Sequence, residues 1–351
     1  MIDLVLLVVA CAVILVGSEL FTNSVEWLGH RLDIAEGAVG SVLAAIGTAL
    51  PETMIPLVAI AFGGQGARTD EIGVGAILGA PFMIGTLAMC VTGLAVLLQP
   101  RRRAAGGWLA VSPRLVTRDV GTFVVAYGLA IGAALAPQGP WPVRPVVAVV
   151  LLLIYARYVW SHLSEERESS GEALPPLRLH VLDAPGRRAD PLVPRLWIVL
   201  LQVVVAVAAI VGGAVLFVDL VEDVSADLGL APVIVALVIA PIATELPENF
   251  NGVIWVRQGK DHLALGNLTG AMVFQACIPT VIALLLAPAT WAVTSSSSLA
   301  FASAAIAFVS VALVFGPLVA RGRLTARGML VGGACYAAYL AIVALALPGS
   351  S

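Results

Sequence analysis

Long apolar runs, each close to the length of a bilayer-spanning helix, recur from one end of the chain to the other, with short polar stretches between them. Ten can be drawn, over 2–22, 37–62, 72–98, 119–136, 143–161, 195–221, 231–256, 262–288, 298–320 and 328–348. About twenty apolar residues cross the hydrocarbon core as a helix, so the pattern predicts ten transmembrane helices. The short alternating segments of a membrane barrel do not occur. Gly and Pro close most of the runs, as at Gln99-Pro100 and Pro348-Gly349. The first run has no Lys or Arg ahead of Arg31. It lacks the basic start of a cleaved leader and reads as a retained span.

Composition sharpens this picture. Of 351 residues, 60% are apolar and only 12% charged, about half the charge of a soluble domain. Mean hydropathy is +1.01. Cys11, Cys90, Cys277 and Cys335 all fall in apolar runs. They read as small hydrophobes in helix packing, with no disulfide framework or zinc spacing. His30, His162, His180 and His262 lie in or beside loops, and none reads as a ligand.

Charge placement sets the sides. Every basic residue except Arg68 and Arg144 falls on the loops that follow odd-numbered spans, or at their edges. The positive-inside rule puts those loops in the cytoplasm and both termini outside, in what we expect to be the plasma (inner) membrane. One long polar segment, 161–194, divides five spans from five and reads as a cytoplasmic linker.

The two sets of five are related. Shifting the first by 196 positions brings Gly17, Phe21, Val25, Glu26, Thr48, Leu50, Pro51 and Glu52 onto identical residues at Gly213, Phe217, Val221, Glu222, Thr244, Leu246, Pro247 and Glu248. A second match, at offset 191, pairs Gly75, Gly79 and Ala80 with Gly266, Gly270 and Ala271. Five spans per half is an odd number, so the halves must cross the membrane in opposite senses. The expected fold is therefore an all-α polytopic membrane protein of about ten transmembrane helices in two inverted five-helix repeats. The repeats would span 1–160 and 195–351, with helices two and seven broken. Such repeats are typical of secondary transporters, whose sites lie near the midplane where the repeats meet.

The breaks are placed by Gly47-Thr48-Ala49-Leu50-Pro51-Glu52 and Ala243-Thr244-Glu245-Leu246-Pro247-Glu248, each inside an apolar run. Each proline removes a backbone donor and opens the helix. Freed carbonyls are tolerated in a bilayer only where they line a cavity or find a partner. A mid-membrane acid costs about 2.5–3.5 kcal/mol on insertion scales, so Glu52, Glu245 and Glu248 together would cost roughly 8–10 kcal/mol if ionised and unpaired. No Lys or Arg lies between Arg31 and Arg68 or between Arg195 and Arg257 to neutralise them. A bound cation or protons would. Carboxylates, Thr hydroxyls and opened carbonyls form an all-oxygen, flexible site of the kind calcium prefers. Transition metals would favour His or Cys, absent near either motif. The plainer reading, protonated acids that hydrogen-bond between helices, suits a lone glutamate better than a repeated one.

These paired motifs resemble the alpha-repeat motif Gly-Thr-Ser-x-Pro-Glu of the calcium:cation antiporter superfamily, and of its sodium/calcium exchangers in particular. The resemblance implies alternating access around a central cation site. Glu52 and Glu248 would match the family's calcium-binding glutamates, and Thr48 and Thr244 its motif threonines. The family's later Gly-Asn-x-x-Gly-Ser-Asn stands here as Gly75-Ala76-Ile77-Leu78-Gly79-Ala80-Pro81 and Gly266-Asn267-Leu268-Thr269-Gly270-Ala271-Met272. The motif serine is Ala49 in one half and Glu245 in the other, and the later Ser-Asn pair is lost from both. Oxygens that help hold sodium in the family are thus missing and one carboxylate is gained, which suits proton binding better than sodium.

Asn249, Asn267 and Gln275 are accessory candidates, with interhelical hydrogen bonding as their alternative role. Glu19 is another, about two turns deeper in span one than the interfacial Glu26. Ala76 and Ile84 oppose Asn267 and Gln275, so the expected site leans toward the second half. The transported ions would be Ca2+, Na+ and/or H+, with no cofactor. Small inorganic cations and membrane lipid are the expected partners, and nothing points to nucleic acid or fixes an oligomeric state. The leading expectation is a secondary cation antiporter exchanging calcium for sodium or protons. A sodium/proton antiporter without calcium transport is the alternative. An intramembrane lipid phosphatase is remote, because the core lacks the Arg that would hold a phosphate.

Overall fold

The computed structural model describes residues 2–31, 49–62, 67–101, 106–137, 142–163, 174–182, 193–229, 245–295 and 297–346. These residues are helical, without a strand of more than one isolated bridge, Trp108 to Thr325. In chain order they form α1 (Ile2–Arg31), α2 (Leu50–Phe62), α3 (Ala67–Met83), a π-helical turn (Ile84–Ala88) and α4 (Met89–Leu97). There follow α5 (Pro113–Leu135), α6 (Val143–Leu163), a 3-10 turn (Arg178–Leu182), α7 (Leu196–Leu228) and α8 (Leu246–Arg257). α9 (Asp261–Leu286), α10 (Ser298–Arg321) and α11 (Ala326–Ala346) complete the chain.

Among the described residues, eight helices are long and apolar enough to span a bilayer. The two other expected spans, over 37–62 and 231–256, are described only from 49 and 245 onward. There α2 and α8, with 13 and 12 residues, are too short to cross alone. α5 begins at Pro113, six residues before the expected start, because proline suits the first turn of a helix, where no backbone donor is needed.

Among the eight spanning segments of the described residues, two are inner. The most apolar window is 83% buried in both α3–α4 and α9, against 22% in α6 and α11. α9 packs on α2, α3, α5, α6 and α8 and forms the hub. α3 and α4 form the second inner rod, against α2, α8, α10 and α11. Pro81 cannot donate to the helix ladder, and the π turn follows it. Tyr127 OH donates to Leu78 O (3.3 Å) and Ser310 Oγ to Gly85 O (2.6 Å), which satisfies carbonyls around the loosened segment.

α1 and α7 form a pair of their own. A Cβ on Gly17 would sit 2.8 Å from Ile210 Cγ1 and 3.1 Å from Ala206 O. One on Gly213 would sit 2.7 Å from Ile14 Cγ1 and 3.2 Å from Ala10 O. Residue numbers fall on one helix as they rise on the other, so the pair crosses antiparallel. The four contacts interconvert under the 196-residue shift, which extends the repeat to Ala10/Ala206 and Ile14/Ile210.

Part of the central linker is docked, not a free tether. Trp27 Nε1 donates to Pro175 O (2.9 Å), and Asn23 Oδ1 accepts from the Arg178 amide (3.0 Å). Gln202 Oε1 accepts from the Leu179 amide (2.8 Å). Leu177 is buried against Trp27, Ile198 and Val199.

Candidate functional site

Both motif helices begin at their motifs. α2 starts at Leu50 and α8 at Leu246, so Pro51 and Pro247 sit in first turns and not in helix interiors. Glu245 is the N-cap of α8. Glu52 and Glu248 each occupy the third helical position of their helix. A helix N-terminus carries unsatisfied amides and partial positive charge, so both motifs present acids where the backbone favours them.

Glu52 is 3% exposed and Glu245 fully buried. Thr53 Oγ1 donates to Ala49 O (3.0 Å), and Asn249 Nδ2 donates to Glu245 O (2.8 Å). These side chains and carbonyls are again 196 positions apart. Each half thus caps the same motif carbonyl with a side chain four residues on, hydroxyl in one and amide in the other. Sequence reading missed Thr53, although its place opposite Asn249 was the available signal.

The hub helix α9 supplies the remaining polar groups. Gln275 Nε2 donates to Glu245 Oε1 (3.4 Å), and its Oε1 is buried without a partner. Asn267 is buried with neither Nδ2 nor Oδ1 bonded. Eight residues separate the two amides, about 12 Å of helix rise. α2 and α8 both pack on α9. The structure therefore brings Glu52, Glu245, Asn249, Asn267 and Gln275 onto one set of buried helices.

Glu19 does not join them. It is exposed at the linker, where Arg178 Nη2 bonds its Oε1 (2.5 Å). Thr48, Thr244 and the Glu248 side chain lie outside the described residues. Among the described residues, no three His, Cys, Asp or Glu side chains converge as a metal site.

The arrangement is that of buried acids at helix starts against a polar hub. A family model described as sodium/calcium exchanger protein matches residues 2–163 and 198–347, nearly everything outside the linker. The chain belongs to the sodium/calcium exchanger family. This exchanger-family chain is 22% identical over 289 residues to the putative antiporter CaxA of Alkalimonas amylolytica, covering 81% of each. It is 36% identical over 89 residues to an uncharacterised membrane protein, MJ0091, of Methanocaldococcus jannaschii, spanning 30% of that relative's length. Its fold is similar to the crystal structure of the H+/Ca2+ exchanger CAX, with TM-score 0.74 and 16% identity, covering 99% of this chain and 82% of that one. It also resembles the sodium-calcium exchanger NCX_Mj, with TM-score 0.59 and 16% identity, covering 99% of both. It is an integral membrane antiporter of ions, as that family is.

Proposed function

We propose that this chain exchanges calcium for protons by alternating access, with sodium as the weaker coupling ion. The observation that carries the reading is the pair of buried acids, Glu52 and Glu245, held at helix starts that pack on one polar hub. Glu52 and Glu248 are the assigned calcium ligands, with Thr48 and Thr244 beside them. Glu245 is the assigned proton carrier, and Asn249, Asn267 and Gln275 supply neutral oxygens. The case for protons rests on inventory. The second half has gained a carboxylate at 245, and the motif serines and the later Ser-Asn pairs expected of sodium sites are replaced in both halves.

The ten-span inverted plan, with repeats at 1–160 and 195–351, is part of the same proposal. The antiparallel, interconverting crossing of α1 and α7 supports it. The loops assigned to the cytoplasm also meet one another. Gln99 Nε2 bonds Val256 O (3.2 Å), the Ala110 amide bonds Asp261 Oδ2 (2.8 Å), and the Ala326 amide bonds Gly107 O (2.8 Å). At the opposite end Arg144, one of the two basic residues assigned outside, donates to Trp291 O (3.1 and 3.2 Å). Trp291 in turn donates to Ala130 O (2.9 Å). A plasma-membrane location with both termini outside fits that distribution.

Calcium uptake into vesicles of purified protein, driven in parallel by a pH gradient and by a sodium gradient, tests the coupling. The pH gradient should drive the faster uptake. Sodium-driven uptake with no response to pH would reverse the assignment. Sodium–proton exchange without calcium movement would replace calcium as the substrate.

A further inference from the structure

A second titratable cluster lies outside the candidate ion site, where α5, α6 and α9 meet. Asp119 and His162 are both buried there, at 3% and 8% exposure. His162 Nδ1 lies 3.0 Å from Tyr158 O, its own helix's carbonyl, so that nitrogen carries the hydrogen. His162 Nε2 is then an acceptor. It faces Arg118 Nη2 at 2.8 Å and Asp119 Oδ1 at 3.5 Å. Arg118 Nε is 3.9 Å from the same Asp119 oxygen. Thr269 Oγ1 donates to Asp119 Oδ2 (2.9 Å). Among the described residues, the charged and titratable groups facing His162 are thus Arg118 and Asp119 from α5 and Tyr158 from α6, whose ring centroid is 4.3 Å away. α9 contributes the Thr269 hydroxyl, and its own acid, Asp261, is bonded to the Ala110 amide.

We infer that His162 and Asp119 form a proton site, distinct from the ion cluster, whose occupancy moves Arg118. Two arrangements follow from this geometry. With neutral imidazole, Nε2 accepts from Arg118 and holds the guanidinium inward. A proton from the cytoplasmic side on Nε2 removes that acceptor and sets two cations 2.8 Å apart. Asp119 Oδ1 is the nearest acceptor for the new Nε2–H, and Arg118, whose side chain is already 27% exposed, is displaced outward.

The site also reaches the ion cluster through one helix. Thr269 is two residues from Asn267, about 200° around α9. Asp119 therefore grips the face of the hub opposite Asn267. Proton occupancy at His162 changes how tightly α5 holds α9, and so makes transport respond to cytoplasmic pH apart from any proton that is exchanged.

The test reads Arg118 directly, without ions. Purified protein is treated with phenylglyoxal between about pH 8 and pH 5, and modification of Arg118 is measured by peptide mass relative to the exposed Arg114. The ratio should rise several-fold on acidification in the parent and stay flat in His162→Gln. Asp119→Asn, if it folds, should also flatten it. A ratio that ignores pH in the parent, or that rises equally in His162→Gln, overturns the proposal. In vesicles, His162→Gln should remove one pH-dependent component of the transport rate and spare the maximal rate. A parent that moves no ions would sink the antiporter reading and leave the Arg118 result standing.

Discussion

The two halves of the sequence match in packing at one crossing and differ in chemistry at the motifs. At the α1–α7 crossing the halves supply matching residues, Ala10, Ile14 and Gly17 against Ala206, Ile210 and Gly213, and the contacts interconvert. At the motifs they diverge, with Ala49 against Glu245, Thr53 against Asn249, Ala76 against Asn267 and Ile84 against Gln275. Every one of these differences adds a polar or charged group to the second half or enlarges one. Packing constrains both members of a crossing equally, because a change on either side meets the same neighbour. An ion cluster has no such constraint, since a ligand lost from one half can be supplied by the other.

The sharpest way to break the comparison is at the acids the halves have in common. Glu52→Gln and Glu248→Gln should each lower transport by about a hundredfold, the scale of one buried charge of roughly 3 kcal/mol. Vesicle uptake reads this, and equal losses would mean that both halves hold the ion. A loss in only one would confine the site to that half.

Next in size is the acid they do not share. Glu245→Ala copies Ala49 into the second half. Calcium should still be bound, with uptake driven by a pH gradient falling about tenfold and its pH dependence flattened, as expected for loss of a proton-binding group. An unchanged pH profile would remove Glu245 from the coupling. Glu245→Ser is the companion variant: if its ion coupling matches the parent's, the added acid does not dictate proton use.

The frame itself should respond symmetrically. Gly17→Ala and Gly213→Ala each push a methyl against an isoleucine and a backbone carbonyl, at a cost of about 1–3 kcal/mol. Thermal unfolding in detergent should show equal losses, relieved by Ile210→Ala and Ile14→Ala respectively. A large loss at one glycine only would contradict the two-fold crossing. The smallest effect is expected at the linker, where Arg178→Gln and Glu19→Gln should leave unfolding temperature and transport near the parent's, because an exposed ion pair contributes little.

How much of this was legible in the chain depended on the kind of signal. Eight of the ten expected spans were readable because hydrocarbon thickness imposes a length, and the motifs because Thr-x-Leu-Pro-Glu stands twice at one spacing. The motif prolines marked where α2 and α8 begin, since proline is disfavoured inside a helix but welcome in its first turn. Glu19 looked deep because a turn count along α1 cannot see the linker residue, Arg178, that comes to meet it. His162 looked like a loop histidine because it ends α6. Only the meeting of α5, α6 and α9 buries it, and no periodicity within one segment encodes that. The docking of 174–182 was hidden for the same reason. Its hydrogen bonds to Trp27, Asn23 and Gln202 run through its backbone groups, which leave no mark in a sequence.

The account rests most heavily on a cation moving between the two motif acids only in exchange for another. Calcium flux into vesicles of purified protein, measured with and without an opposing ion gradient, tests this directly. Antiport predicts accumulation above the outside concentration when the gradient is imposed and no net movement when it is absent, with the accumulation lost in Glu52→Gln. Downhill calcium flow that needs no counter-ion, or accumulation that survives Glu52→Gln and Glu248→Gln together, would contradict it.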